Sequence, residues 1–300
     1  QEMVEYVQTL LKLGKLEEAK AEAEKYYKIK PNNVAAALNL GEIYYQRKEY
    51  EEAEKYLMEA IAIEGSNPHA HFVLGVVFKA TDKIKESITH LTKATNLTPD
   101  EENPEYRYKL AEVLIATKDK KSIDEAVHHL TQLIKLVEAK KLEISTDRIA
   151  ELYHMRGNIR FDRGGMPQAF QDFKKALALD TDKRSVLVDY GKALYMTRKL
   201  PESKRYLLEV VEKEPYHPVA NLYLGKIALK GSNKKEAENR FKNAVKHGGK
   251  QYPSIYKDLG NLYYEKGLSD LAKSNFKKYL LYSERRPVDA DEIEKIINKL

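Results

Sequence analysis

The stretch Leu40-Gly41-Glu42-Ile43-Tyr44-Tyr45, followed after the polar Gln46-Arg47-Lys48 by Tyr50-Glu51-Glu52-Ala53-Glu54-Lys55-Tyr56-Leu57-Met58-Glu59-Ala60, decides the fold. Its apolar residues recur every three or four positions and never alternate with period two, which predicts two short amphipathic helices joined by a turn. Working outward, the Leu-Gly pair has counterparts in Leu74-Gly75, Leu110-Ala111, Arg156-Gly157, Tyr190-Gly191, Leu224-Gly225 and Leu259-Gly260, at successive separations of 34, 36, 46, 34, 34 and 35 residues. A small residue follows twelve positions after the glycine (Ala53, Ser87, Ala169, Ser203, Ala237, Ala272), with Ala126 fifteen after Ala111. A large apolar residue comes next (Leu57, Leu91, Leu130, Phe173, Leu207, Phe241, Phe276), then a mostly smaller one (Ala60, Ala94, Leu133, Ala176, Val210, Ala244, Tyr279). A small residue on each helix lets two backbones approach, and the large one fills the groove beside them.

This succession, repeated at a period near 34 residues, resembles the tetratricopeptide repeat family. Pro31, Pro99 and Pro215 stand where the family's inter-repeat proline belongs, and Gly65, Thr181, Gly249 and Glu284 replace it elsewhere. The resemblance implies an all-α, right-handed superhelical solenoid of eight helical hairpins, expected near 2–30, 34–64, 68–98, 104–142, 148–180, 184–214, 218–247 and 253–283. The first hairpin has Val7 in place of the glycine and is either a degenerate cap or the cut edge of a longer array. In the fourth, residues 117–122 read as a lengthened turn and the second helix runs on toward Leu142. The expected organisation is therefore an N-terminal array over 1–142, a C-terminal array over 143–288 and a capping helix over 289–300. That last segment places Ile293, Ile296, Ile297 and Leu300 on one face, with acids leading and Lys299 trailing.

Composition bounds the function. In a chain of 300 residues with 42% hydrophobic content, a repeat of this kind distributes the core along the stack. No apolar run reaches the roughly 18 residues of a membrane span, the opening residues do not read as a signal peptide, and the absence of Cys fits a reducing compartment, so a cytoplasmic setting is expected. The formal charge of +6 conceals an asymmetry: residues 1–150 carry 22 Lys+Arg against 26 Asp+Glu, a balance of −4, and residues 151–300 carry 30 against 20, a balance of +10. Such a split orients partners and makes their association salt-dependent.

The eight histidines carry no metal-ligand pattern, since His69/His71 and His128/His129 lie two and one positions apart and do not share a helix face. No Gly-rich loop follows a strand, so neither an enzyme nor a cofactor is expected. In the family this chain resembles, first helices line a concave surface, exposing the residue three before the glycine and those one and four after it. Carried over, the first row is Leu38, Phe72, Tyr108, His154, Val188, Leu222 and Lys257. The second is Glu42, Val76, Glu112, Asn158, Lys192, Lys226 and Asn261, and the third is Tyr45, Lys79, Ile115, Phe161, Tyr195, Leu229 and Tyr264. Aromatics in most repeats, flanked by acids early and lysines late, point to a scaffold or adaptor that binds a peptide or helix of another protein. Such a partner would place basic groups near Glu42 and Glu112 and acidic ones near Lys192, Lys226 and Lys257.

Two alternatives stand beside this. One is capture of a globular signalling protein, such as a small GTPase, through the lengthened turn at 117–122. The other is RNA or single-stranded nucleic acid on the basic second half, which the interspersed acids disfavour. The family's carboxylate clamp is not expected: Lys257 and Asn261 match its first element, but no two repeats follow them.

Overall fold

The structure, a computed structural model, describes residues 2–99, 102–179 and 184–300. Among them every regular element is a helix, seventeen in all: α1 (Glu2–Lys12), α2 (Leu16–Ile29), α3 (Val34–Gln46), α4 (Tyr50–Ile63), α5 (Pro68–Ala80), α6 (Ile84–Leu97), α7 (Pro104–Ala116), α8 (Lys120–Glu138), α9 (Thr146–Asp162), α10 (Met166–Leu179), α11 (Arg184–Met196), α12 (Leu200–Lys213), α13 (Pro218–Lys230), α14 (Lys234–Gly248), α15 (Ser254–Glu265), α16 (Ser269–Tyr282) and α17 (Ala290–Lys299). Thr181, one of the positions without the inter-repeat proline, lies outside the described residues.

Each hairpin closes the same way. Gly14, Lys48, Asp82, Lys118, Gly164, Arg198, Ser232 and Gly267 all adopt positive φ, between 57° and 79°, two residues ahead of the second helix. One left-handed residue per turn reverses the chain in three residues, even though an L side chain there costs about 1–2 kcal/mol. Some first helices start on side-chain caps: for α3, Asn33 accepts from the Ala36 amide at 3.0 Å, and for α5, Asn67 accepts from Ala70 at 2.9 Å, with Pro68 just inside the helix.

Between the two helices of a hairpin, the large residue sits on the glycine itself. A Cβ on Gly41 would lie 2.5 Å from Leu57 Cγ, and one on Gly225 would lie 2.5 Å from the Phe241 ring. The serines of the small column do more than leave room: Ser87 Oγ donates to the Gly75 carbonyl and Ser203 Oγ to that of Gly191, each at 2.7 Å. A buried hydroxyl thus finds its acceptor on the facing backbone, which offsets the cost of burying it. Val7, in the glycine position of the first hairpin, is fully buried.

The fourth hairpin differs from its sequence reading. Its turn is residues 117–119, as short as the others, with Lys118 left-handed and Asp119 capping α8 through the Ser122 amide at 3.0 Å. The extra residues lengthen α8, which has 19 residues where α4 and α6 have 14. Lys120, Lys121 and Ser122 form its first turn because a capped start turns a polar run into helix.

The chain divides into two compact units, residues 1–159 and 160–300. In the first, α1 to α8 pack as successive hairpins, and α9 is tied to α8 by Tyr153 donating to Glu138 at 2.7 Å and Arg156 to Thr131 at 3.3 Å. The loop before α9 coincides with the polar break at 143–147, but these contacts carry most of α9 into the first unit. In the second unit the hairpins α11/α12, α13/α14 and α15/α16 stack in order, and α17 covers α16 with Ile293 and Ile297 buried in a core shared with Phe241 and Phe276. Asp289 fastens this cap by accepting from Tyr279 at 2.8 Å and pairing with Lys257 at 2.6 Å.

Candidate partner-binding groove

In the first unit, four successive first helices line one open cavity of about 560 Å³. α1 contributes Gln8, Leu11 and Lys12; α3 contributes Glu42, Tyr45 and Gln46; α5 contributes His69, Phe72, Val73 and Val76; α7 contributes Lys109. Among the described residues, no second helix reaches it. The floor is apolar, and Phe72 is held by stacking on Tyr106 with ring centroids 4.6 Å apart. One wall is a polar relay: the Tyr106 hydroxyl meets His69 Nδ1 at 3.2 Å, and His69 Nε2 meets the Glu42 carboxylate. The other is Lys109, which pairs with Glu112 at 2.9 Å, while Lys79 reaches the same carboxylate at 3.2 Å. Burial alone would push Glu112 up, but Lys109 and Lys79 hold it below the usual carboxylate range. Burial raises the Tyr45 phenol, with Lys109 opposing.

Three more first helices meet in the second unit around a cavity of about 460 Å³: Ser185, Val188, Asp189 and Lys192 from α11, His217 before α13 with Val219, Leu222 and Tyr223 in it, and Tyr252 before α15 with Ser254 at its start. Tyr223 packs edge-on against Tyr195, centroids 5.2 Å apart. Next to them, Lys226 approaches Asp258 at 3.4 Å. Burial raises Asp258 above its ordinary value, and Lys226 only partly opposes this. Burial also keeps His217 neutral by lowering its pKa, with Arg184 adding to the effect.

The sequence-derived rows divide accordingly. Glu42, Tyr45 and Phe72 share the first cavity; Lys192 lies in the second, and Tyr195 beside it. The row three before the glycine is largely covered: Leu38 is 9% and Tyr108 8% exposed, and Val188 and Leu222 are buried too. Tyr108 is walled in by the Arg148 guanidinium 3.9 Å above its ring and by Glu151, to which its hydroxyl donates at 3.3 Å; burial first, then Glu151, push it to about 12. Neighbouring first helices approach closely enough to seal these residues between them. Glu112, Lys79 and Lys226 are each engaged by a charge on the next or preceding repeat, and Lys257 by Asp289 at the start of the cap. His154 and Asn158 hydrogen-bond to each other along α9 at 3.1 Å, and Phe161 is half-buried on its last turn. Asn261 and Tyr264 are exposed on α15. Sequence reasoning missed Gln8, Leu11, His69 and Lys109; Val73, Lys109, Asp189 and Tyr223 stand two before their repeat's small residue, a column that contributes part of the lining although Asn39 in the same column is buried.

The same architecture recurs in known proteins. A family model described as tetratricopeptide repeat matches residues 10–75. The chain is 24% identical over 213 residues to the protein O-mannosyl-transferase TMTC1 of Homo sapiens, a match covering 69% of this chain. The chain spans about a quarter, 23%, of that relative's length. Among solved structures, the APC/C hetero-tetramer Cut9-Hcn1 aligns with a TM-score of 0.62 at 15% identity over 93% of this chain and 52% of that one. YrrB, described as a TPR protein with an unusual peptide-binding site, aligns with a TM-score of 0.56 at 18% identity over 66% of this chain and 95% of that one. At such identities the structural likeness establishes the fold. No helix among the described residues is long and apolar enough to cross a membrane.

Proposed function

We infer that this chain, a tetratricopeptide repeat protein, acts by binding rather than by catalysis, as a scaffold whose first-helix face receives a segment of another protein. The observation that carries the reading is the cavity of about 560 Å³ built by α1, α3, α5 and α7 alone. A repeat stack turns the same side of every hairpin toward one surface, so side chains distant in sequence converge without a dedicated loop. Its size and apolar floor suit a large apolar side chain, and Gln8, Gln46 and Tyr45 at the rim supply hydrogen-bonding groups for a peptide backbone. Preorganisation favours affinity, because Phe72 and His69 are already stacked and the scaffold orders little on binding. The peptide-binding site ascribed to YrrB supports the same reading.

The capture mode through an insertion at 117–122 loses its basis, since that turn is three residues long. Photo-crosslinking tests the groove. With p-benzoylphenylalanine replacing Tyr45 or Phe72, crosslinked adducts form in cells, and with the same group replacing Met58, exposed on the second helix α4, they do not. Equal crosslinking from Met58 would overturn the reading.

A further inference from the structure

Three lysines of the first-helix faces are paired with a carboxylate further along the stack. Lys79 finds Glu112 at 3.2 Å, Lys226 finds Asp258 at 3.4 Å and Lys257 finds Asp289 at 2.6 Å. Lys192 occupies in its repeat the position that Lys226 occupies in the next, one past the glycine. The slot that holds Asp258 for Lys226, two before the next glycine, holds Tyr223 for Lys192. No carboxylate among the described residues forms an ion pair with Lys192, although it lines the cavity of about 460 Å³ and is only half-exposed. The hydroxyl-bearing Tyr223, Tyr252, Ser185 and Ser254 line the same cavity, as does Asp189.

We propose that this cavity receives an acidic side chain of a bound protein segment, whose carboxylate pairs with Lys192 and accepts hydrogen bonds from the surrounding hydroxyls. The proposal rests on the reading of first-helix faces as docking surfaces and applies it to the second unit by itself. A partly desolvated ammonium ion without a counter-charge gains more from an incoming carboxylate than lysines already neutralised, whose own partners would have to be displaced. The balance of +10 over residues 151–300 draws acidic segments toward this half. One cation in the cavity is too few to track a nucleic-acid backbone, and Asp189 on the same wall limits what the cavity takes to a single acidic side chain seated on Lys192.

Fluorescence anisotropy with the full chain at low salt tests it, using labelled ten-residue peptides of alternating Ala-Glu, Ala-Gln or Ala-Lys and a ten-nucleotide uridine RNA. The Ala-Glu peptide binds about tenfold more tightly than Ala-Gln, the worth of one charge-assisted contact. Lys192→Met removes that preference, whereas Lys235→Met, on the second helix α14, preserves it. Tyr223→Asp, which supplies the missing counter-charge from within, also removes it; if loss of the Tyr195 contact unfolds that variant, Lys192→Met still decides. Failure of the Ala-Glu peptide to bind, equal affinity for Glu and Gln peptides, an unaltered preference in Lys192→Met, or tighter Lys192-dependent binding of the RNA would each overturn the proposal. If crosslinking at Tyr45 persists alongside any of these, the groove reading stands; if it is lost too, both go.

Discussion

The two units use one hairpin for different surfaces. In the first, the first-helix face is an apolar floor of Leu11, Phe72, Val73 and Val76, and charges such as Glu42 and Glu112 are matched within the protein. In the second, the hydroxyl-bearing Ser185, Tyr223, Tyr252 and Ser254 stand among Val188, Val219 and Leu222, and Lys192 has no carboxylate partner among the described residues. The difference lies in first-helix positions and in the residues just before those helices, His217 and Tyr252, while the packing columns are shared: Gly41 beneath Leu57 in one unit, Gly225 beneath Phe241 in the other. A repeat stack separates what holds it together from what it presents, so the face can diverge while the scaffold stays fixed.

If that separation is real, damage to the shared columns should hurt both units alike. Gly41→Ala and Gly225→Ala each place a Cβ 2.5 Å from the residue above. Overpacking costs about 1–3 kcal/mol and the better helix propensity of Ala returns up to about 1 kcal/mol. Urea denaturation should show a net loss of about 1–2 kcal/mol for both, larger at Gly225, where a ring yields less than a leucine. A neutral Gly225→Ala would break the comparison.

Acid should instead single out the first unit's own feature. His90 packs on Phe78 and meets His71 Nδ1 at 2.9 Å, and His71, 1% exposed, also bonds the Gly65 carbonyl through Nε2 at 3.0 Å. Burial first, then His71 and Lys93, lower His90 from 6.5 to about 4. The unfolded chain therefore takes up this proton first, so stability is full above about pH 6.5, falls toward pH 4 and is level below. Because His90 is half-buried, screening reduces the swing to on the order of 1 kcal/mol. Hydrogen exchange at about pH 7 and about pH 4.5 should show α5 and α6 losing protection in acid, and His90→Gln should flatten the change.

The smallest effect is a gain. Lys48, Arg198 and Ser232 hold φ of 64°, 63° and 60° at their turns. Glycine there relieves the strained backbone at some entropic cost, so each substitution should stabilise by about 0.5–1 kcal/mol, additively across both units. Thermal melts of the single and triple variants check this.

Most of the scaffold was readable because packing columns at a fixed period are a one-dimensional signal. The cap helix was readable too, since Ile293, Ile296, Ile297 and Leu300 recur at helical spacing. The turn at 117–122 was not: Lys-Asp-Lys-Lys-Ser looks like a loop until Lys118 turns left-handed and Asp119 caps the start of α8. The groove was half readable. Tyr45 and Phe72 follow from the rows that the family resemblance implies, but how closely adjacent first helices pack, and hence the burial of Leu38 and Tyr108, depends on side chains from two repeats at once. His69 and His71 do face apart, as their spacing requires; one meets Glu42 and Tyr106, the other His90.

The longer α8 shows how such an array can change length. Three of its five surplus residues precede Ala126 and two follow Leu133. Three residues are nearly a full helical revolution, so Ala126, Leu130 and Leu133 keep their buried side. One or two residues added at the same place would swing that stripe toward water. Growth within a repeat is thus restricted to whole revolutions, and lineages of such proteins should gain or shed residues inside their helices in steps of about three or four.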